Sequence, residues 1–471
     1  MSVENVHRAP RPGHTQRMSA HGDAERGRSP ASPGVHPDEP LQRTLFSAAC
    51  ISFQPLLLNA LTVPVMAYIL HRLGPEAYGQ WMAATAVLTA CAVLGGLGLR
   101  GSFVRGVAAN PASASTALSE QLSLRLCLAI PAGTFGVAVC ALLGYPTPVL
   151  WCAGVGAVGL VLTVISSTLA DVLQALHRIK TIAAVNMASG FALTAASLAA
   201  AILGAGPIAM AAAYLTGPIV AALTLLVIVR KRLGPVGLAG SLPRFRALLT
   251  RSRFLAAQQI LNVGSAQAEA LMLPRLIGLG QFGVFTAGAL PANRLMILPD
   301  GLCTTVFPAM ARACATSAAS GAAVVGKYLF VASAAGTLVA IAGMFAVGPI
   351  GRLLFPNDVA VFSTVMRITI WALPLVSLDA VLGYALNAAG KDAAQAKATV
   401  PAAVTGLLGA VVLISTLGLT GACWSMLLRP AVRVAFLAPI AVRTFRAGQR
   451  SHPTITVLPS IRSTPLLRKA G

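Results

Sequence analysis

Leu73-Gly74-Pro75-Glu76-Ala77-Tyr78-Gly79-Gln80-Trp81-Met82-Ala83 has a counterpart in the second half of the chain, Leu279-Gly280-Gln281-Phe282-Gly283-Val284-Phe285-Thr286-Ala287. Both read Leu-Gly, a short gap, then aromatic-Gly-x-aromatic-x-Ala. Each block follows an apolar run of a length that crosses a bilayer as one helix, about 20 residues. Gln54 and Asn59 lie in the first of these runs, and Gln258, Gln259 and Asn262 in the second. Downstream, Phe103 and Arg105 sit where Phe307 and Arg312 sit. Similarity that recurs at matching places in two long stretches marks an internal duplication.

Outward from these two blocks the same texture continues. Of 471 residues, 56% are hydrophobic and only 10% charged, and the mean hydropathy is +0.77, which excludes an ordinary soluble fold. Apolar runs are expected to span at 45–70, 78–99, 122–143, 149–171, 182–203, 208–229, 254–277, 282–306, 328–347, 361–387, 398–417 and 420–442. The net charge of +22 would suit a nucleic-acid binder, but its placement does not. The bases gather in alternate gaps and in the tails. Arg230, Lys231, Arg232, Arg244, Arg246, Arg251 and Arg253 share one gap with no acid, whereas Gly144–Pro148 and Gly204–Pro207 carry no charge. That alternation is the positive-inside bias. It puts the basic gaps and both termini in the cytoplasm and excludes nucleic acid as a partner.

The expectation is an all-α polytopic membrane protein of about 12 transmembrane helices in two six-helix repeats. Six is even, so both repeats enter the membrane in the same sense. The repeats are parallel, with a pseudo-axis along the membrane normal and a site at the interface between them. The domains read as a disordered cytoplasmic tail at 1–43, rich in Pro and Arg, an N-terminal lobe at 44–229, a basic cytoplasmic linker at 230–253, a C-terminal lobe at 254–443 and a basic tail at 444–471. The first apolar run starts late and has no small-residue cleavage site after it, so it reads as an uncleaved anchor. Eight scattered cysteines without a CxxC pair read as core residues, with no metal site or disulfide framework.

The stretch Ala67 to Trp81, followed by Leu94-Gly95-Gly96-Leu97-Gly98-Leu99-Arg100 and Val104-Arg105, resembles the opening hairpin of Wzx-like oligosaccharide-lipid flippases. These polysaccharide-biosynthesis transporters belong to the multidrug/oligosaccharidyl-lipid/polysaccharide (MOP) superfamily. Val306-Phe307-Pro308-Ala309-Met310-Ala311-Arg312 resembles the end of span eight in the same family. The resemblance covers about 45–445. It implies V-shaped lobes, alternating access, and export of a polyprenyl-diphosphate-linked oligosaccharide from the cytoplasmic to the outer leaflet of the inner membrane, for exopolysaccharide, capsule or O-antigen assembly. A polysaccharide polymerase and chain-length machinery are the partners it suggests. The chain after Arg443 has no long apolar run, unlike the lipid II flippases with two further helices.

The polar residues inside spans carry the functional reading, because charge in hydrocarbon is costly. Arg294 lies mid-span between Pro291 and Pro299. Its planar fork suits a diphosphate; the alternative is a structural ion pair with Glu269. Glu269, Asp300 and Asp379 could each couple transport to Na+ or H+, or pair with arginines. Arg429 and Arg433, four apart on one face of span twelve, line the second lobe or snorkel to the surface. Gln54, Asn59, Gln258 and Asn262 bind sugar hydroxyls or join helices to one another. Arg72, Arg100 and Arg105 at span ends read as snorkelling. Prolines at 55, 64, 274, 291, 299 and 374 mark places where spans would bend.

Two soluble-enzyme patterns fail on context. Gly96-Leu97-Gly98-Leu99-Arg100-Gly101 ends a membrane span and follows no strand. Gly321 to Lys327 resembles a phosphate loop, but Tyr328 stands where the metal-binding hydroxyl is needed. No organic cofactor and no catalytic residue are expected. Competing functions are a drug or cation antiporter of the same superfamily and a membrane glycan polymerase. The first would favour an acidic cavity, and the second a long external loop with paired carboxylates, which the chain lacks.

Overall fold

The computed structural model describes residue 58 and residues 61–450, apart from 177, 241 and 355–358. The expected tail at 1–43 and all but 444–450 of the one at 444–471, together with Gln54, Pro55 and Asn59, lie outside the described residues; 444–450 continue the last helix. Every regular element among those described is a helix. In order these are α1 (Leu61–Leu73), α2 (Pro75–Gly96), α3 (Leu99–Ala109), a short 3-10 turn (Pro111–Ser113), α4 (Ala114–Leu142), α5 (Thr147–Ala175), α6 (Ile179–Ile202), α7 (Pro207–Tyr214), α8 (Thr216–Leu233), α9 (Leu242–Ala266), α10 (Ala268–Leu276), α11 (Leu279–Leu295), α12 (Ile297–Thr316), α13 (Ala318–Leu354), α14 (Val359–Thr369), α15 (Ala372–Ala388) and α16 (Asp392–Arg450).

The twelve expected spans all find helices. Eight helical stretches are long and apolar enough to cross a membrane, and the last, Ala393–Phe445, holds two spans. There Gly418, at φ 57° and ψ −127°, interrupts α16 in the left-handed half of the map that glycine enters freely. The two arms fold back as an antiparallel hairpin. A methyl group added at Gly406 would touch Arg429, and one added at Gly409 would touch Leu428. Spans one, seven and eight fall outside the eight: α1 is described only from Leu61, span seven carries several Gln and Asn residues, and span eight carries Asn293, Arg294 and Asp300, which lower their mean hydropathy.

Three of the breaks have one cause. Proline lacks the N–H that would bind the carbonyl four residues earlier. Pro218, Pro299 and Pro374 deny the carbonyls of Tyr214, Leu295 and Ile370 their usual donor four residues on; that of Ile370 takes the Leu373 N–H at 3.1 Å instead. α7 ends at Tyr214, α11 at Leu295, and α14 gives way to α15 across Ile370 and Trp371. Pro64 and Pro291 are carried inside helices that continue through them. The basic gap also differs from a simple linker, since α9 begins at Leu242, well ahead of the expected start of span seven at 254. Its first turns hold four of the arginines.

The duplication is visible in the backbone. Gly74, before α2, has φ 82° and ψ 161°; Gly278, before α11, has φ 90° and ψ 160°. This region is essentially reserved for glycine. The structural partner of Gly74 is therefore Gly278, not Gly280 as the Leu-Gly match suggests. Counted from that pair, Gly79 and Gly283 are equivalent. They also face each other. A methyl added at Gly79 would run into the Leu279 carbonyl, and one at Gly283 into the Pro75 carbonyl. The contact is reciprocal, as a two-fold arrangement requires, and brings α2 and α11 together backbone to backbone. Buried Tyr78 and Phe282 flank it. Below it Ala83, Ala86, Phe285 and Ala289 continue the seam and pack against Val365 of α14 and Ala422 of α16 in one apolar cluster. This seam joins the two repeats.

Candidate functional site

The repeats enclose a set of adjoining cavities. The central one, about 410 Å³, lies between α2, α10, α11, α15 and α16. Its polar groups are Arg429, Asn293 and Gln267, with the hydroxyls of Thr85, Thr89 and Thr286. Those hydroxyls donate to carbonyls of their own helices, as Thr89 Oγ1 does to Thr85 O at 2.7 Å and Thr286 Oγ1 to Gly283 O at 2.9 Å. They offer the cavity acceptor lone pairs. Arg429 is held from behind, because its β-, γ- and δ-carbons lie 3.2–3.7 Å from where a methyl on Gly406 would sit. A side chain at 406 would press on that stem.

A second pocket of about 290 Å³ holds Arg294 with Thr62 of α1, Thr194 of α6 and Tyr214 of α7. Asn293 lines both this pocket and the central cavity. Arg294 and Arg429 thus line neighbouring pockets that share Asn293, both half-buried.

A third chamber, about 430 Å³, lies inside the second repeat and meets the central cavity at Met296 and Val376. It is lined by Asp300, Asp379, Tyr384, Asn387, Gln395 and Arg433. Arg433 Nη1 pairs with Asp379 Oδ2 at 3.2 Å, and the Tyr384 hydroxyl donates to Asp300 Oδ1 at 3.0 Å. Asp379 Oδ1 is buried and takes no hydrogen bond from any described residue. Two carboxylates facing one arginine make a chamber able to hold a cation.

Five residues singled out from sequence, Arg294, Arg429, Arg433, Asp300 and Asp379, therefore line connected cavities. The side chains of Gln258, Asn262 and Glu269 lie outside the described residues, as does any pair between Glu269 and Arg294. Their neighbour Gln259 joins helices: its Oε1 accepts the Gly98 N–H at 2.9 Å, tying α9 to the break between α2 and α3.

Sequence reasoning missed a further charged cluster in the first repeat. Arg100 Nε pairs with Asp171 Oδ1 at 3.0 Å and Arg125 Nη2 with Asp171 Oδ2 at 2.9 Å. Arg125 Nη1 also donates to Thr168 Oγ1 at 3.0 Å, and Arg100 Nη2 to Gln174 Oε1 at 2.8 Å. Arg125 and Asp171 are each 4% exposed. The expected spans 122–143 and 149–171 left both at membrane rims. α4 and α5, 29 residues each, carry them into the packed body. Arg100, read as snorkelling, stays largely exposed and is also tied to a buried acid.

The fold is shared with known transporters. The chain matches a structure described as an inward-facing multidrug resistance MATE family transporter of the MOP superfamily at TM-score 0.66, with 15% identity over 85% of this chain and 99% of that one. It matches the lipid II flippase MurJ, inward closed, at 0.59, with 13% identity over 86% and 89%. A Pyrococcus furiosus MOP transporter, described as having a binding pocket of reverse polarity, matches at 0.59, with 14% identity over 87% and 97%. No curated protein sequence matches the chain. The profile of the polysaccharide biosynthesis protein family matches residues 46–314, more than half the chain and the whole repeat seam, and this multi-pass membrane protein belongs to that family.

Proposed function

We propose that the protein moves a polyprenyl-diphosphate-linked oligosaccharide from the cytoplasmic to the outer leaflet of the inner membrane. The observation that carries this is the placement of Arg294 and Arg429 in neighbouring pockets that share Asn293. A diphosphate entering low dielectric needs fixed cations with hydrogen-bonding forks, and a space between two repeats can be opened to either side in turn. Membership in a polysaccharide biosynthesis family and the fold shared with MurJ support the same reading. The termini and basic gaps are cytoplasmic, the glycan comes from cytoplasmic synthesis, and a polymerase with its chain-length machinery receives it outside.

The acidic chamber supports ion coupling. Na+ or H+ entering at Asp379 and Asp300 would loosen the pair with Arg433, next to the cavity that holds Arg429. A drug or cation antiporter would also use such carboxylates. The central cavity is lined by arginine rather than acid among the described residues, which favours an anionic cargo.

The test is complementation of a flippase-null strain. Arg294→Ala is expected to abolish polymer export while the protein stays in the membrane. Arg294→Lys keeps part of it, since the charge survives and the two-pronged fork does not. Full export by a well-inserted Arg294→Ala variant would remove this residue from the site.

A further inference from the structure

Besides the glycine seam, span seven touches the first repeat near each of its own ends, and each touch is made to the end of a helix. At the basic end, α2 stops on two successive residues in the left-handed region, Leu97 at φ 36° and ψ 37° and Gly98 at φ 67° and ψ 9°. Among the described residues, Leu97 alone has a positive φ without being glycine. A side chain in that region carries strain that neighbouring contacts must hold. Two contacts do so. The Gly98 N–H donates to Gln259 Oε1 of α9 at 2.9 Å, across the boundary between the repeats. Arg100, two residues on, is tied to Asp171 and Gln174 of α5 within its own repeat. When the repeats part at this end, α3 stays with the first repeat and the Gln259 bond has to break. Breaking it costs little, because Gln259 is exposed and water can take its place at the Gly98 N–H.

At the opposite end, Arg275 of α10 lies over the turn that closes α4. Its guanidinium is 3.5–3.9 Å from where a methyl on Gly144 would sit. Gly144, at φ 65°, comes just after the last turn of α4, whose carbonyls are the negative end of the helix dipole and favour a cation. Arg275 is exposed as well. Gln259 and Arg275 stand eight positions either side of Gln267. At Gln267 span seven breaks into α9 and α10, and its side chain lines the central cavity. The two halves need not move together, and the residue between them is one that a cargo in the cavity would meet.

We propose that Gln259 and Arg275 are opposed latches between the repeats. The bond from Gly98 to Gln259 holds the basic end closed, the seat of Arg275 on α4 holds the other end, and each releases while the other holds. The proposal rests on the reading of the space between the repeats as one that opens to either side in turn. Its test needs neither cargo nor export, so its failure is distinguishable from a failure of Arg294 to support export. Each latch is a single exposed contact, strong enough to bias a two-state equilibrium by about fivefold and too weak to lock it.

Full-length, otherwise cysteine-free protein in nanodiscs is spin-labelled at one of two cysteine pairs. Cysteines replacing Lys180 and Lys391 span the repeats at the basic end, and cysteines replacing Gly206 and Ser415 span them at the opposite end; all four positions are exposed. Gln259→Leu keeps the size and loses the acceptor. It should raise the share of long distances at the basic end by about fivefold. Gln259→Glu keeps an acceptor oxygen and should match the unaltered protein. Arg275→Gln should do the reverse of Gln259→Leu, with longer distances at the opposite end and shorter ones at the basic end. An unchanged basic end in Gln259→Leu, equal shifts in Gln259→Leu and Gln259→Glu, or shifts of the same sense in Gln259→Leu and Arg275→Gln would each overturn the proposal. If Gln259→Leu does not insert, Arg275→Gln decides alone, and no lengthening at the opposite end overturns it.

Discussion

At the scale of single residues, the chemistry rests on where a charge finds its counter-charge. Asp171 holds two arginines, one of them buried with it. Removing one partner of such a pair strands the other and costs about 3–5 kcal/mol. Asp171→Ala should therefore lower the thermal unfolding midpoint of the detergent-solubilised protein. The double change Asp171→Leu with Arg125→Met should recover most of it, because neither charge is then stranded. Asp379 behaves differently, since its partner Arg433 lines an open chamber where water softens the loss. Asp379→Asn should leave protein abundance unchanged and remove the response of transport to a Na+ or pH gradient in proteoliposomes; a variant that keeps the full response would show that coupling lies elsewhere. Gly406 illustrates a third kind of dependence, of a side chain on an absent one. Gly406→Val places carbon where the stem of Arg429 lies, so export should fall as far as it does in Arg429→Ala.

At the scale of elements, the glycine seam between α2 and α11 decides how the repeats meet. Gly79 and Gly283 each approach the other helix at a carbonyl oxygen, so a side chain at either position cannot be absorbed by a rotamer change and must push the helices apart. Such overpacking costs about 1–3 kcal/mol or more. Gly79→Val and Gly283→Val should each widen the helix separation at this end, read as a longer spin-label distance between cysteines placed at Gln80 and Gln281. The two changes should act alike, since the contact is reciprocal. Normal distances in both variants would mean that the helices part there without the seam. The seam also shows what the sequence made legible. The aromatic-Gly-x-aromatic blocks identified the duplication because both faces of that motif are fixed by packing. The preceding Leu-Gly match slipped by two residues, because a positive-φ glycine before a helix leaves no trace in hydropathy. Spans were legible because apolar length is a physical requirement of the bilayer. Their true ends were not: α4, α5 and α9 run on into polar sequence, which is why Arg125 and Asp171 escaped notice while Arg294, deep in an apolar run, did not. The breaks at Leu295 and Ile370 follow from Pro299 and Pro374, and the one at Tyr214 follows from Pro218 by the same rule.

At the scale of the whole molecule, charge and repeat must agree on orientation. The +22 net charge is gathered in alternate gaps, and the structure puts those gaps at one end of the helices: α8 finishes on Arg230, Lys231 and Arg232, α9 starts among Arg244 and Arg246, and α3, after α2, carries Arg100 and Arg105. The opposite end holds the uncharged turn at Gly144, Tyr145 and Pro146, and the glycine seam that begins at Gly74 and Gly278. If positive charge stays on the side of synthesis, the seam closes the outer face, and the cavities of Arg294 and Arg429 must open toward the cytoplasm to receive a substrate made there. This orientation is checked by single cysteines in a cysteine-free background, at Arg244 in the basic end and at Pro146 in the uncharged turn. A membrane-impermeant maleimide applied to spheroplasts should label the cysteine at 146 and spare the one at 244, and inverted vesicles should reverse the result. Labelling of both positions from the same side would mean an even number of crossings between them, not the three expected. That would break the parallel relation of the two repeats and with it the case for a site on the pseudo-axis.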